Sequence, residues 1–263
     1  MARARLLGEL LGDGRHPLAG ALEGWLASRR FAAFATEHLT KVRKKLRGAQ
    51  DPESARDLLL ELDTAYRLVQ DKRLTLTYEP TPGGAGRGPD FAVLFTTRLE
   101  VMLEVTRLRL APPDAAVPRG PPAAAEPSPG ARPVPGGLDA RRLAGVLALK
   151  LGQTVPGRAN VLLVGLDGEP PGAEVLAALI EEVRRDVETT DPEALTRRGF
   201  RHRGEYLRRL NGLSAVLVRR APELGATAES VGAVTPWSNP QARTPLPGDV
   251  RTALLGALGG GGS

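Results

Sequence analysis

Cysteine is absent from this chain of 263 residues. Disulfides and thiolate metal sites are therefore excluded, and a reducing compartment, the cytoplasm, is the expected setting. Histidine is scarce: His16, His38 and His202 are the only three, and none stands at metal-ligand spacing. A metal here would have to be a hard ion held by oxygen, such as magnesium. Aromatic residues make up only 4%, so a core must come mainly from Leu, Val and Ala. No run of about 18 uncharged apolar residues occurs, so no transmembrane helix and no membrane partner are expected. The N-terminal "MARARLLGELLGDGRH" is interrupted by Glu9 and Asp13, which argues against a signal peptide. Lysine is rare too: five of the 36 basic residues, at 41, 44, 45, 72 and 150.

The excess is of positive charge, +6 with a pI near 10.1. Such a balance favours a polyanionic partner, because Lys and Arg attract phosphate and raise encounter rates. Neither a Walker motif nor a Rossmann fingerprint is present.

Residues 17–48 read as helix, ending in the basic "KVRKKLR" (41–47), either a solvated face or a phosphate-tracking one. "DPES" (51–54) is a helix start signal. Leu58, Leu62, Ala65, Tyr66 and Val69 then repeat at three- and four-residue steps, the spacing of an apolar helical stripe. "LTLTY" (74–78) alternates as a strand does, and strands follow at 91–96 and 99–106 with a turn at Thr97-Arg98. Residues 111–137, rich in Pro and Ala, read as a disordered insert. Helix 139–153, strand 160–166, helix 172–188 and strand 213–218 complete the pattern. The remainder from 221 reads as irregular, and "GGGGS" as a flexible tail. This order predicts an α/β fold: a mixed sheet flanked by helices, with hairpin-linked strands first and parallel ones later.

Residues two apart on a strand share a face, so Glu100, Met102, Glu104 and Thr106 point one way. That face is either solvated or a site. Asp90, fixed by Pro89 at the mouth of the preceding strand, is brought near Glu104 by a short turn. Two carboxylates so placed repel unless a cation or proton lies between them. Magnesium takes a few carboxylates, waters and phosphate oxygens, and it assists attack on phosphodiesters.

"PDF" followed by "LEVTRL" resembles the core of the PD-(D/E)xK nuclease superfamily, the restriction-endonuclease-like fold. The similarity spans roughly 51–220, with "ELDTAYRL" (61–68) resembling the first helix and "LALKLGQTVPGRANVLLV" (147–164) the helix and strand after the motif. The resemblance implies an N-terminal helical extension (1–50), a nuclease-like domain (51–220) and a C-terminal tail (221–263). It implies a magnesium- or manganese-dependent nuclease acting on DNA, with Asp90 and Glu104 as metal ligands and Glu61 as an auxiliary one. Glu61 lies at the edge of its helix stripe, where it faces either the sheet margin or solvent. The departure is Thr106, where the family pattern has a lysine that serves the attacking water. Lys150, in the apolar stripe of its helix beside Gln153, is the candidate replacement. The alternative for Lys150 is a snorkelling side chain at a helix C-terminus. The alternative for the whole chain is an inactive nuclease-fold module that binds DNA or acts as a scaffold.

Overall fold

The computed structural model describes residues 3–12, 15–81, 88–108, 138–197, 199–225 and 232–259. The segment 111–137 and the terminal "GGGS" lie outside them. Six strands form one mixed sheet: β1 (Leu74–Tyr78), β2 (Phe91–Phe95), β3 (Leu99–Leu108), β4 (Ala159–Leu166), β5 (Ala215–Arg220) and β6 (Val234–Ser238). They lie side by side in chain order. The β1–β2, β2–β3 and β5–β6 pairs are antiparallel, and β3–β4 and β4–β5 are parallel. The expected mixed α/β sheet is therefore present. The β2–β3 turn falls one residue earlier than the sequence suggests. Thr96 and Thr97 both adopt left-handed backbone, and the Arg98 amide closes the turn on the Phe95 carbonyl.

Helices cover both faces, so β4 is buried along its whole length. One face carries α5 (Pro52–Gln70), the N-terminal helices α1 (Arg3–Leu11), α2 (Ala19–Trp25), α3 (Arg29–Glu37) and α4 (Leu39–Gly48), and the C-terminal α10 (Gly248–Leu258). The other carries α6 (Ala140–Lys150), α7 (Ala173–Thr189), the short α8 (Pro192–Arg197) and α9 (Arg203–Leu210). Asp51 caps α5 by accepting hydrogen bonds from the Glu53 and Ser54 amides, with Pro52 preset for the first turn. Asp139 caps α6 in the same way from the Arg142 amide.

Two expectations are corrected. Residues 17–48 form three helices, because Ser28 caps α3 and the chain bends again at His38. The tail beyond 221 is not irregular: β6 extends the sheet, and α10 buries Val250, Ala253, Leu254 and Leu258. Trp237 on β6 is buried under the Arg184 guanidinium. The first four helices share one apolar core with α5 and the sheet, so residue 50 is not a packing boundary. Among the described residues no helix is long and apolar enough to cross a membrane.

Candidate functional site

Hairpin register brings the two acids together. Phe91 pairs with Leu103, so the residue before one and after the other, Asp90 and Glu104, meet across the strands. Each is tied to the other's strand. The Asp90 amide donates to Glu104 Oε2 at 3.2 Å, and the Val105 amide donates to Asp90 Oδ2 at 2.8 Å. Both carboxylates are buried.

Lys150 is the last residue of α6, and a 3-10 turn (Leu151–Gln153) follows it before the chain enters β4. Its ammonium does not snorkel away: Nζ donates to Glu104 Oε1 at 2.5 Å. The Gln153 carboxamide lies against Glu104, whose oxygens can only accept, so its nitrogen is assigned to that side, from where it donates to both oxygens, at 3.0 Å to Oε2. Lys150, Gln153 and Glu104 line a cavity of about 20 Å³ with Thr154, Asn160 and Met102. That is room for roughly one water-sized group. Thr106 lies two residues beyond Glu104 on β3.

Glu61 looks toward the sheet rather than to solvent. Its Oε1 accepts from the Tyr78 hydroxyl at 2.5 Å and from Lys45 Nζ at 2.5 Å. Burial, and then the charge of Asp90, push the Glu61 carboxyl above its usual range, against the pull of Lys45. Burial pulls the Lys45 ammonium down, but Glu61, Asp90 and Glu79 outweigh it and hold the ammonium above the usual lysine value. Burial and the Glu61 charge likewise push Tyr78 up.

Sequence reasoning missed Lys45. From α4 it reaches Glu61, Glu79 at 3.1 Å and Asp90 at 3.8 Å, and it lies over the Tyr78 ring. Lys41, one turn earlier, donates to the Tyr78 and Glu79 carbonyls at 2.6 and 3.0 Å. Glu79 is held in left-handed backbone, with its amide donating to the Asp90 carbonyl. The available signal was spacing: Lys41 and Lys45 each precede a buried apolar residue, Val42 and Leu46, on the inward flank of α4. Arg43, Lys44 and Arg47 in the same run are exposed.

The site is thus four carboxylates interleaved with two ammoniums, Lys45 on one flank and Lys150 on the other. Among the described residues no three acidic or imidazole groups form a ready-made metal cage. Magnesium is commonly held by one or two carboxylates and completed by water and substrate oxygens. Asp90 and Glu104 are such a pair. No family model, curated protein or solved structure matches this chain.

Proposed function

We propose that the chain is a magnesium- or manganese-dependent nuclease of the PD-(D/E)xK type, on a restriction-endonuclease-like version of its α/β sheet, that hydrolyses DNA phosphodiester bonds. One observation carries this reading: the Lys150 ammonium, from α6, lies 2.5 Å from Glu104, where it would supply the charge that Thr106 lacks. Asp90 and Glu104 would hold the ion, with Glu61 assisting from α5. A bound ion of this kind acts as a Lewis acid on a phosphoryl oxygen and makes bound water more acidic. The chain supplies the rest. Lys150 sets a fixed positive charge where charge builds on the phosphorus oxygens, in a site with little water to screen it. Gln153 would fix the Glu104 carboxylate, and the small cavity that both line has room for one water.

The second reading, an inactive nuclease-fold module that binds DNA or serves as a scaffold, is favoured by Thr106 and by Lys45, whose ammonium already pairs with Glu61 and lies 3.8 Å from Asp90. Cleavage of labelled single- and double-stranded DNA with magnesium or manganese decides between the two. The expected result is cleavage by the wild type and a loss of about 100-fold or more in Asp90→Asn and Glu104→Gln. Absence of wild-type cleavage, together with salt-sensitive DNA binding, would favour the inactive module.

A further inference from the structure

A second cavity adjoins the acid site. It measures about 380 Å³ and shares Thr154 and Asn160 with the small cavity beside Glu104. Its walls carry four arginines, Arg158, Arg208, Arg209 and Arg243, against a single acid, Glu205. They come from three separate parts of the chain: the loop before β4, helix α9, and the segment after β6.

These parts are fixed to one another. The Asn160 side chain donates to the Val155, Arg158 and Gly212 carbonyls and accepts from the Val155 amide. The Arg243 amide donates to the Asn211 carbonyl at 2.8 Å, and the Ser214 hydroxyl donates to the Thr244 carbonyl at 2.6 Å. The backbone segments that frame the cleft are therefore fixed to one another by hydrogen bonds.

Two of the four guanidiniums are neutralised. Arg209 pairs with Glu205 at 2.8 Å and lies over the Phe200 ring, and Arg158 pairs with Glu100 at 3.3 Å. Arg208 and Arg243 make no ion pair among the described residues, and both are exposed. Like charges gathered on one concave wall repel, so an arrangement that leaves two of them without acids favours an anion. Guanidinium matches phosphate by paired hydrogen bonds.

We infer that this cleft is a backbone-phosphate subsite: it holds one nucleic-acid strand through Arg208 and Arg243 and leads it past Thr154 and Asn160 to Glu104 and Lys150. The inference rests on the nuclease reading for the direction of the strand, but binding at the cleft needs no hydrolysis.

The test is anisotropy of labelled single- and double-stranded oligonucleotides in EDTA, over a range of salt. It compares the full-length wild type, Arg208→Gln/Arg243→Gln, and an equal-charge control, Arg29→Gln/Arg185→Gln. Thermal melting establishes that all three are folded. Loss of two phosphate contacts lowers the slope of log affinity against log salt by roughly 1.4 to 1.8. That drop is expected in the cleft variant and not in the control. An unchanged slope in the cleft variant, an equal drop in the control, or no wild-type binding would each overturn the inference. Because metal is absent, the result is separate from cleavage. Binding that responds to Arg208 and Arg243 in a chain that cuts nothing would uphold the cleft and remove the hydrolytic reading.

Discussion

Lys45 is the residue whose role differs most from what its neighbours suggest. It stands among Glu61, Glu79 and Asp90, as a bound cation would. Removing a partly buried ammonium leaves those acids to repel one another, and breaking such a pair typically costs about 3–5 kcal/mol. Since its side chain is 24% exposed, solvent screening lowers the expectation to about 1–3 kcal/mol for Lys45→Met. Thermal melting in EDTA checks this. If the acids hold a metal, manganese should raise the melting temperature of Lys45→Met more than that of the wild type; equal shifts would remove Glu61 from the metal site. His38 gives a pH prediction. It packs against Phe34 and Tyr78, and burial lowers its pKa below the usual 6.5 in spite of Glu37. The unfolded chain then binds the proton more readily, so this contribution is complete above pH 6.5 and is lost as pH falls toward the folded value. Melting from pH 7.5 to 5 should show that decline in the wild type and a shallower one in His38→Leu.

At the scale of elements, Gly165 of β4 leaves no room beneath the Leu60 side chain of α5. A methyl group at Gly165 would come within 2.5 Å of Leu60 Cδ2 and 3.3 Å of Ala221 Cβ, and Leu60 is fully buried. Gly165→Ala is expected to destabilise the fold by about 1–3 kcal/mol. Combined with Leu60→Ala, its cost should be less than additive, because the second change removes the clashing atoms; denaturant unfolding measures both. The first five strands and α5 were legible because their apolar spacing is strong and their start signals are clean. β6 was hidden by Pro236, which an edge strand tolerates and a central strand does not. The stripe of α10, Val250, Ala253, Leu254 and Leu258, has helical spacing but is short and set among glycines. The helix breaks at 28 and 38 occur without Pro or Gly; the N-cap Ser28 is a single weak mark of the first, and His38 offers none of the second.

For the whole molecule, the sheet collects groups from both covering layers at one place: Lys45 and Glu61 from the α4–α5 side, Lys150 and Gln153 from α6, and Asp90 and Glu104 from the hairpin between them. The hairpin acids were readable because strand register is local, and Lys150 because an ammonium in an apolar stripe needs a partner. The partners of Lys45 and the arginine cleft were not, since each depends on segments joined only by tertiary packing. The central claim is that Lys150 supplies the charge that Thr106 lacks. The direct measurement is the single-turnover rate of DNA cleavage in manganese by wild type and Lys150→Met, a change that keeps the stem and removes the charge. A fall of about 100-fold or more in Lys150→Met, with melting temperature and DNA affinity retained, is the predicted result; equal cleavage by the two proteins would contradict it.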